Sequence, residues 1–101
     1  MCIRDRDACD ELGLLAIEPI PGWQFFNKNP LFISLTHRDV RDMIRRDRNH
    51  PSIVMWETTL NESWPPAEWK DGVVKIAHEE LPGDQCFTSG DSYGYKGFDV
   101  C

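Results

Sequence analysis

Residues 53–66 read IVMWETTLNESWPP. A run of β-branched and apolar residues, Ile53 to Trp56, has the character of a buried strand. It gives way to Asn61 and Glu62, then Trp64 and two prolines. Proline cannot donate to a sheet ladder but is tolerated in a helix's first turn, so a helix is expected from about Pro66. In that helix Trp69, Val73, Ile76 and Ala77 fall at i, i+4, i+7 and i+8, one stripe facing a core. The segment LPGD (81–84) ends it, and QCFTS (85–89) reads as another strand. One strand, one helix and one strand in this order make a crossover unit.

The same alternation extends upstream. DACDELG (7–13) reads as a helix end, with Ala8 and Leu12 on one face and Gly13 as the closing left-handed residue. LLAIE (14–18) follows as a short apolar strand of the kind buried on both faces. PIPGW stops it, and residues 24–32 read as loop. A helix is expected from Thr36, where Thr36 and Asp39 resemble a capping box and Leu35 with Val40 a hydrophobic staple. Val40, Met43 and Ile44 form its apolar stripe; Arg38, Asp42 and Arg46 are spaced for ion pairs, and RDVRDMIRRDR (38–48) reads as a solvated face. NHP ends the helix because the residue before proline avoids the helical region. GDSYGYKG (90–97) is a glycine-rich loop and FDV (98–100) the start of a further strand. Helix, strand, helix, strand, helix, strand predicts an α/β fold on a parallel sheet.

Composition narrows the function classes. With 101 residues and 41% apolar content the chain is of single-domain size and ordered character. A net charge of −6 gives no basic footprint for nucleic acid or anionic lipid, and no apolar run is long enough for a membrane span. Cys2, Cys9, Cys86 and Cys101 show neither metal-ligand nor disulfide-framework spacing and read as free thiols. HEELP (78–82) starts like a zinc-protease motif, but Pro82 occupies the second histidine position, so no metal or cofactor is expected. MCIRDR (1–6) resembles a translated transposase adaptor from library preparation. Residues 1–6 are therefore expected to be non-native, with the reading frame opening inside a gene and the cellular location undetermined.

In parallel α/β folds the C-terminal strand ends face the ligand. Glu18, then Asn61 and Glu62, then Asp91 follow three such ends. Near them lie Trp23, Phe25, Phe26, Trp64, Tyr93 and Tyr95, which suit stacking on sugar rings. The alternative reading is plainer: acids are common in turns, and aromatics seal cores. A nucleophile elbow, a Walker loop and a dinucleotide fingerprint are all absent, and GDSYGYKG does not open a helix.

Two stretches carry a family resemblance: CDELGLLAIEPIPGWQ (9–24) and RDRNHPSIVMWETTLNES (46–63). Together they resemble the catalytic barrel of family-2 glycoside hydrolases, the β-galactosidase and β-glucuronidase group, with the two landmarks leading into the third and fourth barrel strands. The resemblance covers residues 7–63 and implies a partial (β/α)8 TIM barrel of three to four βα units around the third to fifth strands, with residues 7–101 a fragment of that domain. It implies Glu62 as general acid/base and Asn61 as the ligand of the sugar 2-hydroxyl. His50 and Pro51, at the opposite end of the strand, are structural, and Glu18 lies near the sugar or in its supporting shell. One departure bears on the site. The commonest family form, W-S-x-G-N-E, has Glu five residues after Trp, whereas Glu62 is six after Trp56. One extra residue reverses facing unless a bulge absorbs it, and Glu57 is the competing carboxyl.

The implied chemistry is retaining hydrolysis of a β-linked glycoside by two carboxyl groups about 5–5.5 Å apart. The family nucleophile ends the seventh strand, beyond Cys101. A complete barrel takes about 250 residues, so the remainder of the parent barrel is an implied partner of this segment. Two other classes stay open on the residues alone: a non-catalytic carbohydrate-binding or scaffold domain, and a small flavodoxin-like domain, for which no phosphate-binding first loop is found.

Overall fold

The computed structural model describes residues 4–21, 25–60, 63–90 and 97–100. Its elements run α1 (Arg4–Leu12), β1 (Ala16–Pro19), α2 (Pro30–Asp47), β2 (Ile53–Thr59), α3 (Ala67–Glu80) and β3 (Cys86–Ser89). The three strands form one parallel sheet in the order β1-β2-β3. Phe98–Val100 adds the beginning of a further parallel pairing, Val100 bridging to Thr88. The alternation and parallel sheet expected from the sequence are thus present.

A single core lies between the sheet and helices α2 and α3. Val40, Met43 and Ile44 come from α2, Trp69, Val73 and Ala77 from α3, and Ile53, Trp56 and Phe87 from the strands. Among the described residues, only one face of the sheet is covered. Leu14, Leu15, Ile17 and Val54 are exposed, so LLAIE is not buried on both faces as its composition suggested. Its apolar side chains lie on a surface that the described residues leave open.

Two local expectations, on the start of α2 and on its arginine face, are corrected. Helix α2 begins at Pro30 rather than Thr36: the Asn29 side chain accepts the Leu31 N–H at 2.8 Å, and Pro30 takes the first-turn position. The Thr36 hydroxyl serves the interior instead, donating to the Ile33 carbonyl and accepting from Trp69 Nε1 at 2.9 Å. Helix α1 starts at Arg4, upstream of Asp7, and its Ala8 and Leu12 are exposed. Gly13 does close it at φ +71°. The arginine-rich face of α2 is only partly solvated. Arg38 and Asp42 stand at 3.9 Å in solvent, but Arg41 and Arg45 both bind Glu80 of α3, and Arg48 donates to the Glu80 carbonyl at 2.8 Å. Asp47 is buried, held by Arg46 at 2.6 Å and Arg6 at 3.0 Å. Cys9 and Cys86 are free thiols.

The strand ladder carries two irregularities, both on β2. Ile17 pairs with Met55 although Ala16 pairs with Ile53, and Thr59 pairs with Ser89 although Glu57 pairs with Thr88. In each case β2 spends two residues against one of its neighbour, the definition of a bulge. The second bulge lies between Trp56 and the Asn-Glu pair, and Gly90 N donates to the Thr59 carbonyl at 2.9 Å across it.

Candidate functional site

Parallel pairing brings the C-terminal ends of β1, β2 and β3 to one rim. Ile20 N donates to the Glu57 carbonyl at 2.9 Å, and Thr59 and Ser89 join through a buried hydroxyl–hydroxyl hydrogen bond. Below the rim on the helix side, Phe26 packs edge-on against both Phe32 and Trp69 at 5.6 Å. A small apolar cavity there is lined by Ile20, Phe26, Thr59, Leu60 and Trp69. Trp69 also stacks on His37, whose Nε2 lies 3.3 Å from the Trp69 carbonyl. The first turn of α3, which follows the Pro65-Pro66 pair, is thereby tied to α2.

The sequence-derived residues separate into three groups. Trp64 is on the rim, exposed and at φ +46°, a backbone region that bulky residues rarely adopt. Glu18 does not follow the strand end but is the penultimate residue of β1, and it faces the helices. Its Cα pairs with Trp56, and its buried carboxylate binds Arg6 and, at 3.3 Å, Arg46. Because Arg46 reaches both Glu18 and Asp47, this charge cluster does not depend on Arg6 alone. Asn61, Glu62, Trp23 and Asp91, with Tyr93 and Tyr95, lie outside the described residues.

Glu57 is the carboxyl that the described part of the rim does present. It is level with Pro19, the last residue of β1, and with Thr88. Partial burial pushes its carboxyl above the usual range. At the opposite end of the sheet, His50 Nδ1 and the Ser52 N–H donate to the two oxygens of Asp10, at 2.6 and 2.9 Å. Hydrogen bonding from Ser52, reinforced by His50, holds the Asp10 carboxyl below its usual range. This latch ties α1 to the start of β2 and agrees with a structural role for His50. Asp7, Asp10 and His50 bring one ligand atom each within 4.8 Å, the one such grouping among the described residues. It sits at the far end from the rim, and Asp10 already has both donors.

The family model for the glycosyl hydrolases family 2 TIM barrel domain matches residues 6–80. The chain belongs to glycoside hydrolase family 2. Similar members include the β-galactosidase of Thermoanaerobacterium thermosulfurigenes, 45% identical over 85 residues, which are 84% of this chain and 12% of that protein. Human β-glucuronidase is 40% identical over 55 residues, 48% of this chain and 8% of that protein. Among solved structures, a Bacteroides uniformis β-glucuronidase covalently bound to cyclophellitol-6-carboxylate aziridine superposes with a TM-score of 0.71 at 27% identity, covering 88% of this chain and 12% of that one. The chain thus spans about an eighth of the β-galactosidase it matches. Its three-stranded parallel sheet with helices on one face is consistent with a segment of that TIM barrel domain.

Proposed function

We propose that this chain is the part of a retaining β-glycosidase that carries the acid/base, with β1, β2 and β3 as the third to fifth strands of the barrel. The single observation that carries the residue assignment is the bulge at Glu57–Thr59. The sequence has one residue more between Trp56 and Glu62 than the common family spacing, and β2 absorbs one residue in that interval. A one-residue insertion and a one-residue bulge cancel in strand parity. This supports Glu62 over Glu57 as the acid/base, with Asn61 on the sugar 2-hydroxyl.

In this reading Glu62 protonates the leaving oxygen and then deprotonates the water that resolves the glycosyl-enzyme intermediate. The nucleophile comes from a strand outside these 101 residues. A retaining route is supported by the covalent adduct of the similar Bacteroides uniformis enzyme, since an aziridine inhibitor of this kind bonds to a nucleophile. The exposure of Trp64 supports a stacking role, and Trp23 and Asp91 are assigned with it to sugar binding. Glu18, bound to arginines on the helix side, is assigned to the supporting shell. Similar proteins named β-galactosidase and β-glucuronidase leave the sugar open between those classes.

The test is Glu62→Gln in the full-length protein. Hydrolysis of glycosides with poor leaving groups is expected to vanish, while activated aryl glycosides lose far less, because only the former need a proton on the departing oxygen. Equal losses on both substrates remove Glu62 as the acid. Saccharide binding without turnover in the unmutated full-length protein selects the non-catalytic binding domain instead.

A further inference from the structure

Glu57 is the only charged residue of β2. Its neighbour Trp56 is buried in the core beneath α2 and α3, so strand alternation turns Glu57 to the opposite, uncovered face. Its position level with the last residue of β1 sets it at the rim end of that face. Beside it on that face are Pro19 and Thr88, its partners on the two neighbouring strands, and the Ile17–Met55 pair, with the Thr88 hydroxyl donating to the Val100 carbonyl. No Lys, Arg or His among the described residues forms an ion pair with it.

We infer that Glu57 is a sugar-contacting residue of the same cleft, its carboxyl hydrogen-bonding a hydroxyl group of the bound glycoside. The inference rests on the glycosidase reading above. A half-buried carboxyl without a counter-ion among the described residues favours its neutral form. The neutral form offers one donor and one acceptor, which complements a hydroxyl group, itself both donor and acceptor. The upward shift of its pKa by burial acts in the same direction. Glu57 lies inside β2, level with the last residue of β1, and precedes Glu62 by five positions in sequence. In this inference its contact is with a ring hydroxyl rather than with the bond being cleaved.

The experiment compares Glu57→Gln and Glu57→Ala in the full-length protein, measuring kcat and KM on a nitrophenyl glycoside across pH, with Tm for each variant. Glu57→Ala is expected to raise KM about tenfold, the worth of one hydrogen bond, with kcat within about threefold. Glu57→Gln, which keeps a neutral donor and acceptor, is expected to restore most of the KM. The unmutated protein's KM should climb as pH rises through the Glu57 pKa, and that limb should be missing from the Gln variant. A Gln variant as impaired as Ala overturns the inference. So does a fall in Tm with KM unchanged, which would make Glu57 the counter-ion of a basic side chain elsewhere in the barrel. Glu62→Gln, run alongside, separates the two readings: turnover lost there with KM unmoved in both Glu57 variants overturns only the present inference. Turnover retained there overturns the acid assignment and leaves the Glu57 result to stand or fall on KM.

Discussion

Arg45 grips Glu80 through two hydrogen bonds, from Nε at 2.7 Å and Nη2 at 2.9 Å, across the α2–α3 interface. Arg41 binds the same carboxylate, and Arg48 stands 3.9 Å from it. Three arginines one helical turn apart therefore converge on one buried acid, and hydrogen bonding from Arg45 holds the Glu80 carboxyl below its ordinary range. Glu80→Ala leaves those cations facing one another without their anion. A lower midpoint in urea is expected, with a larger drop than for Glu79→Ala, whose carboxylate is half exposed.

The pH dependence of stability follows from three carboxyls. Glu80 and Asp10 have folded-state pKa values below their unfolded ones. Their contributions are complete above about pH 4.5 and are lost as pH falls through the depressed folded values. Glu57 acts oppositely: its raised pKa favours the fold below the unfolded value and costs stability as pH rises through the folded one. Denaturant melts between pH 3 and pH 7 should show net loss toward acid. Asp10→Asn should flatten the acid limb, whereas Glu57→Gln should remove a small loss on the higher-pH side.

Gly72 faces His37. A Cβ at that position would stand 2.6 Å from His37 Cε1, and the ring is held against Trp69 by stacking and by its contact with the Trp69 carbonyl. Alanine in a helix interior normally stabilises by about 1 kcal/mol relative to glycine. Here the clash is expected to reverse the sign, with Gly72→Ala destabilising by about 1–3 kcal/mol. The double variant Gly72→Ala, His37→Ala should recover much of that loss in a thermodynamic cycle.

The bulge makes a sharper test. Deleting Thr58 from the full-length protein removes the extra β2 residue and gives the commoner family spacing. The strand can then pair with β3 without the two-against-one step, so activity within about tenfold of the unmutated protein is expected. An alanine inserted after Met55 has no such compensation and should abolish activity by reversing the strand's facing. Equal damage from both changes would falsify the parity argument.

The 101-residue chain alone should self-associate. Leu12 and Leu15 are 74% and 76% exposed, Ile17 is 56% exposed, and β1 has no partner on its outer edge among the described residues. An unpaired apolar edge templates further pairing. Strong binding of a hydrophobic dye and concentration-dependent light scattering are expected, and a monodisperse monomer by ultracentrifugation would count against this.

Much of the architecture was legible because periodicity is a local property. The stripe Trp69, Val73, Ala77 and the apolar strand into Trp56 each follow from one element's contact with one core. Helix starts were less legible. Thr36 and Asp39 have the letters of a cap, but Asn29 with Pro30 has the geometry, and only the backbone distinguishes them. The arginines of α2 looked solvated because their acids lie more than thirty residues away, on α3.

For the site, sequence alone determined the order of elements, the strand that precedes Asn61-Glu62 and the family motifs flanking it, since all are written in contiguous residues. Tertiary pairing decided the rest. It turned Glu18 toward arginines on the helix side, set Glu57 on the uncovered face level with the end of β1, and placed a bulge where one residue was in excess. The physical reason is that a strand's facing is fixed by the ladder it shares with its neighbours. No residue of β2 carries that information by itself.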